Sequence, residues 1–482
     1  MKICLILEGS YPYVNGGVST WMHNYIKGMP EQEFILWVVA DKAEKKGKFV
    51  YEIPENVTEV HEIFLDDALK LKADKDFKAS FTDHEVEQLR KLMDCKNPEW
   101  ETLFSLYQER RIDPMAFLQS DAFLKILTDM CLKDYPYIAF SDAFHTIRSM
   151  LLPVLYLLSA EAPEADVYHS TCTGYGGLLA CLGGYIHKKP VLLTEHGIYT
   201  REREEEIIRA RWVQPAFKKR WTDFFYMLSD MIYRRAFRVT SLFGYARKIQ
   251  IELGTNPDSA YVIANGVNYD AFSKIPLKED DGFVDIGAVV RLAPIKDIKT
   301  MIYAFFELSS RRKNVRLHIM GGTDDEKYAE ECFSLVESMG LDNVIFTGRV
   351  NVLDYLKKID FTILTSISEG QPLSVLESFA ARRPAVVTDV GCCRALISGE
   401  DGDELGEAGY CVPPMYREGL ADAMEHMCES RVRREKMGEI GQRRVEAYYQ
   451  HYMMLENYEN LYKEVEEHFG GDRIRTEEAV FG

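Results

Sequence analysis

Phe361-Thr362-Ile363-Leu364-Thr365-Ser366-Ile367-Ser368-Glu369-Gly370-Gln371-Pro372-Leu373-Ser374-Val375-Leu376-Glu377 is the stretch on which the fold turns. It begins as a short apolar run, the mark of a strand buried on both faces. It passes through a polar loop and enters a helix near Leu373. Strand, loop and helix in that order make half of a βαβ unit. The rhythm repeats around it: 283–290, 316–320, 344–347 and 385–388 are further apolar runs, each followed by a helical pattern.

Upstream the same alternation holds. Residues 3–7, 34–40, 167–170, 191–194, 239–242 and 260–263 read as strands, and 18–29 and 201–237 as helical stretches. The segment at about 55–150 breaks the pattern. It is charged and aromatic, helical in period at 68–92, 98–111 and 116–132, and reads as a helical insertion without strands. Residues 276–282 read as a linker. The expectation is α/β: a Rossmann-like domain over 1–275, a second over 276–440, and C-terminal helices over 441–482 that cross back to the first domain. Their facing sides would bound a cleft.

Bulk properties narrow the function classes. The formal charge is −18, which argues against nucleic acid as the partner, because phosphate backbones are held by concentrated Lys and Arg. Ten cysteines occur without a Cys-x-x-Cys pair, so reduced thiols are expected rather than a zinc ribbon or redox site. The apolar run at the N-terminus is too short for a signal segment and ends in Glu8. No stretch of about 18 apolar residues occurs. A cytoplasmic protein is expected, recruited to the inner face of the membrane by partners.

In open α/β domains ligands bind beyond the carboxyl ends of the strands, and there the informative residues lie. Gly16 and Gly17 follow the first strand and open a helix, where bare backbone and a helix N-terminus suit a phosphate. His196, in Thr194-Glu195-His196-Gly197, ends a strand of the first domain. Arg291 ends the first strand of the second domain, and Lys296 opens its next helix. Together they could clamp a diphosphate, Arg by its planar fork and Lys as a point charge. Glu369 lies in the loop quoted first and Glu377 one turn into the helix behind it, with the free amides of Leu373 and Ser374 at the helix start. Gly321, in Met320-Gly321-Gly322, and Arg349-Val350 follow two further strands. The alternative for each is structural: turn glycines, solvated cations, a first-turn glutamate favoured by the helix dipole.

Taken in order, Gly-Gly, strand-end His, Arg-x4-Lys and Glu-x7-Glu resemble the retaining glycosyltransferases of family 4 with the GT-B fold. The resemblance spans nearly the whole chain apart from 55–150. Within it, Leu7 to Trp21, Tyr168 to Tyr175 and Thr194 to Arg203 look like the PelF branch, soluble glycosyltransferases of Pel exopolysaccharide synthesis.

The resemblance implies a UDP-sugar donor, a polysaccharide acceptor, membrane-embedded Pel components as partners, no nucleic acid, no cofactor and no metal. Arg291 and Lys296 would hold the donor diphosphate, Glu377 the ribose, Glu369 the sugar hydroxyls, and His196 the sugar near its anomeric centre. The backbone from Gln371 and Pro372 to Leu373 and Ser374 would contact sugar and phosphate. Arg349 and Val350 would flank the base beside Gly321, and Gly16-Gly17 would close over the phosphates. Ala395 departs from the pattern, since relatives often carry an acidic residue there. Two other classes remain open: a non-catalytic nucleotide-sugar-binding subunit of a polysaccharide synthase, and a GT-B nucleotide-sugar epimerase.

One further stretch stands out. Residues 201–238 carry ten Lys or Arg against six Asp or Glu, with Trp212 and Trp221 among them. An amphipathic helix pair packed on the core accounts for it most simply; contact with acceptor or membrane is the alternative.

Overall fold

The computed structural model describes residues 1–72, 80–400 and 402–470. Two compact units emerge, Met1–Val262 with the chain from Glu459, and Ile263–Tyr458. The division falls at Val262/Ile263 rather than at the linker 276–282.

The first unit is built on seven parallel strands, β1 (Lys2–Glu8), β2 (Glu33–Ala40), β3 (Val57–Phe64), β4 (Val167–Ser170), β5 (Val191–Glu195), β6 (Arg238–Ser241) and β7 (Ala260–Val262), in the order β3-β2-β1-β4-β5-β6-β7. Residues Ile3 to Leu7 are wholly buried, as a central parallel strand covered on both faces requires. The order reverses between β1 and β4.

The insertion contains the helices Asp83–Met93, Trp100–Gln108, Pro114–Leu118, Asp121–Asp134 and Phe140–Leu158. A capping box of Thr82 and Glu85 starts the first of them. Trp100, Phe104, Phe117 and Phe123 share one apolar cluster with Ile35 and Trp37 of β2, so the insertion enlarges this core. Two expectations are corrected here. The segment opens with a strand, β3, whose Glu59, His61 and Glu62 belong to an edge with one side in water. The expected helix at 68–92 begins only at Asp83, after a 3-10 turn at Leu65–Lys70; its middle, 73–79, lies outside the described residues.

The stretch 201–237 is two helices, Tyr199–Arg209 and Lys218–Arg235, separated at 210–217. The second buries Trp221, Phe224, Phe225 and Leu228.

The second unit has six parallel strands, β8 (Val284–Val289), β9 (Val315–Met320), β10 (Val344–Gly348), β11 (Phe361–Leu364), β12 (Ala385–Thr388) and β13 (Gly409–Val412), in the order β10-β9-β8-β11-β12-β13. Its reversal lies between β8 and β11. The helix Arg431–Tyr448 stays in this unit, its Gly441 lying against Phe379. The last described helix, His451–Phe469, begins in it, and from Glu459 its residues belong to the first unit. There Tyr462 Oη lies 2.6 Å from Tyr25 Oη and 2.7 Å from His169 Nδ1, and Glu464 pairs with Arg238. Residues 471–482 lie outside the described residues.

Candidate active site

Each sheet is parallel, so its strands end on one edge, and a reversal of strand order leaves a crevice there. In the second unit the loops after β8 and β11 flank that crevice and are stitched together. Ile367 N donates to Ile295 O at 2.9 Å. Thr365 Oγ1 donates to Lys296 O at 3.0 Å and to Asp297 O at 3.1 Å. Asp297, in the left-handed region at φ 46°, caps the helix Ile298–Arg311 through Thr300 N. The loop that presents Lys296 is thereby fixed at both ends.

Lys296 Nζ donates to Glu369 Oε1 at 2.5 Å, and Ser366 Oγ donates to the same oxygen at 2.5 Å. Both members of the ion pair are largely buried. The crevice therefore holds a cation whose counter-ion is the expected sugar-binding carboxylate. Arg291 is half exposed and pairs with Asp324 in the loop after β9. That loop is tied to the loop after β8 by Leu292 N to Gly322 O at 2.9 Å and Asp324 N to Leu292 O at 3.2 Å.

Glu377 is different in kind. Among the described residues no hydrogen bond or ion pair reaches its carboxylate, and burial pushes its pKa up from 4.5 to about 7. A carboxylate held this way lacks the donors that normally compensate desolvation. Pro372 precedes its helix, Leu373–Ala380, with no side-chain cap, so the first amides of that helix have no partner within it. The side-chain oxygen of Gln371 accepts from Asn265 N at 2.6 Å, fixing the chain just past β7.

The remaining loops explain their glycines. A Cβ at Gly321 would sit 1.8 Å from Val290 O, so the chain can cross there only without a side chain. Arg349, exposed, lies against Gly322, and Val350 follows it beyond β10. Gly391, at φ 57°, brings the loop after β12 onto the carbonyls of Glu369 and Gly370.

The acidic loop residues are engaged: Asp281 pairs with Lys278 and Arg316, and Asp325 caps the helix Glu326–Ser338. Among the described residues no group of three His, Cys, Asp or Glu is placed to hold a metal ion.

In the first unit Gly16 is extended and Gly17 opens the helix Gly17–Lys27. A Cβ at either meets nothing within 4 Å, so packing inside the unit does not demand glycine. His196 follows β5 with its ring edge-on to Trp21, centroids 4.3 Å apart. Among the described residues neither of its buried ring nitrogens has a hydrogen-bond partner, and burial lowers its pKa to about 4. It is thus a neutral imidazole with one donor and one acceptor unused. Its neighbour Glu195 is pushed up to about 7 by burial, although Tyr233 Oη at 2.6 Å and Gln250 Nε2 at 2.9 Å donate to it.

The sequence reading passed over Glu8. It ends β1 and accepts from Gly176 N at 3.0 Å and Tyr199 Oη at 3.0 Å, with Arg203 at 3.4 Å. Asp324 and Ser366 were missed as well. A carboxylate at the end of the first strand was one local signal; Ser366 lies three residues from Glu369 in the same loop, and Asp324 reaches Arg291 from a loop 33 residues away.

Residues 1–258, more than half of the chain, match the family described as "Domain of unknown function (DUF3492)". The chain belongs to the DUF3492 family. Residues 284–430 match "Glycosyl transferases group 1". The chain is 22% identical over 302 residues to MMP alpha-(1->4)-mannosyltransferase of Mycolicibacterium hassiacum, covering 62% of this chain and 70% of that protein. It is 23% identical over 208 residues to the capsular polysaccharide biosynthesis glycosyltransferase CapM of Staphylococcus aureus, covering 41% and 53%. With several curated relatives the shared length is less than two thirds of the relative.

Among solved structures, HepE of Anabaena, determined with UDP and glucose, matches with a TM-score of 0.59 at 14% identity, over 96% of this chain and 99% of that one. Sucrose-phosphate synthase of Thermosynechococcus elongatus matches at 0.59 and 15%, over 96% and 98%. The fold is GT-B, and this DUF3492 member is a glycosyltransferase.

Proposed function

We propose that the enzyme is a retaining glycosyltransferase of family 4 that moves a sugar from UDP to a growing exopolysaccharide of Pel type, without a metal ion. The observation that carries this reading is the junction after β8 and β11, where Arg291, Lys296 and the start of helix Leu373–Ala380 converge on the switch point with two glutamates. Cations and a helix N-terminus supply the preorganised field that a departing diphosphate needs.

In this reading Lys296 leaves Glu369 for the phosphates, which frees Glu369 to accept from the sugar hydroxyls. Glu377 accepts from the ribose, and the loops carrying Gly321, Arg349 and Val350 flank the base. His196 meets the sugar near its anomeric carbon; its unused donor and acceptor support a polar ligand there. The C1–O bond of the donor breaks with its electron pair going to the diphosphate. The acceptor oxygen bonds to C1 on the same face, and its proton passes to the leaving phosphate. UDP rather than another nucleotide, the Pel acceptor and the membrane-embedded partners rest on the sequence resemblance. The complex of HepE with UDP agrees with the nucleotide.

Calorimetric titration with UDP, GDP and ADP, repeated on Arg291→Ala, tests the proposal. Selective UDP binding that the variant loses is the expected result. Folded protein that binds none of the three would reject the donor site and favour a non-catalytic subunit.

A further inference from the structure

The stretch 207–222 holds Arg209, Arg211, Lys218, Lys219 and Arg220 and no acidic residue, in a chain of net charge −18. Packing of the second helix onto the core accounts for Trp221 and for Arg220, which is held by Asp134 at 2.9 Å and Tyr135 Oη at 3.1 Å. It does not account for what remains outside. Trp212 is 67% exposed and Ile208 59%. Lys218 Nζ donates to the carbonyl of Ile208, and Trp212 meets Trp221 edge-on at 5.5 Å. One corner of the first unit therefore presents an indole, an aliphatic side chain and lysines side by side.

The corner continues onto the insertion. Tyr135 packs on Phe217, centroids 4.7 Å apart. Close to that contact in sequence, Leu132 is 75% exposed and Tyr137 97%. Exposed apolar side chains thus occur on both of the elements that meet at the Tyr135–Phe217 contact. In water such exposure is unfavourable, and a group of them rimmed by charge marks an interaction surface.

We infer that this corner is a docking surface for an anionic phospholipid bilayer. Indole and phenol rings set among Lys and Arg suit the headgroup region, where one end of the ring is apolar and the other wet. Arg211, Lys218 and Lys219, the last also held by Asp223 at 2.6 Å, supply the attraction to anionic lipid. A folded protein partner would meet a continuous patch or groove; here the apolar groups stand on separate elements, which a fluid interface accommodates. The inference is independent of the donor-site assignment.

Co-sedimentation of the full chain with vesicles tests it. Binding is expected to vesicles of phosphatidylcholine mixed with phosphatidylglycerol, to be absent with phosphatidylcholine alone, and to weaken with added salt. K218E/K219E should lower the bound fraction by roughly tenfold or more, and W212A by a few-fold. Thermal melting shows that each variant is folded, and either one suffices if the other is not. The inference is overturned if the wild type ignores anionic vesicles, or if the folded variants bind as it does. It is equally overturned if the chain binds only native membranes and protease treatment of those membranes abolishes binding, since the partner is then a protein.

Discussion

At the reversal of the first sheet, between β1 and β4, the start of helix Gly174–His187 meets a carboxylate of the chain itself: Glu8 accepts from Gly176 N at 3.0 Å and from Tyr199, with Arg203 beside it. At the reversal of the second sheet, between β8 and β11, the helix Leu373–Ala380 starts without a side-chain cap, and two cations stand in the adjoining loops. Both crevices have the topology that gathers an anion. In the first the anion is built in, and the geometry serves stability. In the second the cations have carboxylate partners that a stronger anion can displace. Strand order makes such a place available; side chains decide whether the fold uses it or a ligand does.

The largest effect is expected where the second crevice loses its cation. Lys296→Ala should lower kcat/KM for donor turnover by about 100-fold or more, with folding retained in circular dichroism. Near-wild-type turnover would remove the second crevice from the chemistry and break the contrast. The converse is Glu8→Ala, which strips four donors, Gly176 N, Tyr199 Oη, Arg203 and Cys172 Sγ, of their acceptor. It should destabilise the protein by about 1–3 kcal/mol in denaturant unfolding and leave UDP affinity unchanged. A large loss of UDP affinity at constant stability would mean that the first crevice, too, serves a ligand.

Glu195, buried, and Glu377, partly buried, sharpen the comparison. Glu195 and Glu377 are both raised from 4.5 to about 7 by burial, but donors surround Glu195 and, among the described residues, none reaches Glu377. A carboxyl held above its unfolded value keeps its proton more firmly in the folded chain. Each therefore contributes stability that is complete below about pH 4.5 and is lost as pH rises through about 7. Ligand binding separates them. If Glu377 must ionise to accept from the ribose, UDP affinity falls as pH drops below 7, by at most about tenfold per pH unit. Glu377→Gln should flatten that slope, and Glu195→Gln should leave it. Calorimetry across pH reads both; an unaltered slope in Glu377→Gln would withdraw the ribose assignment.

Much of this was legible in the sequence because central parallel strands are apolar on both faces. Residues 361–364 and 385–388 announce themselves, and the functional loops follow by rule. The strands that did not show were β3 and β13, the polar or short edges of their sheets. Arg291, Lys296, Glu369 and Glu377 were found as types at strand ends, and the structure brings Lys296 onto Glu369. Their partners were not legible. Asp324 reaches Arg291 from another strand's loop, and Gln371 spends its side-chain oxygen on Asn265, 106 residues away. Pairing across a sheet is a property of topology, and no local spacing encodes it.

The smallest effect belongs to the glycines, and there the two units can be compared at a single methyl group. Gly321 cannot accept one: its Cβ would lie 1.8 Å from Val290 O. Gly17 can, since its Cβ meets nothing within 4 Å and its φ is not in the left-handed region. Gly17→Ala should thus leave stability within about 0.5 kcal/mol, or raise it slightly, because alanine is the better helix former. If packing were the reason for glycine, turnover would not change. A several-fold loss of turnover at unchanged melting temperature would mean that the methyl group obstructs something outside the fold. That result is expected if the donor phosphates approach this backbone closely, and unchanged turnover would reduce Gly16-Gly17 to a turn.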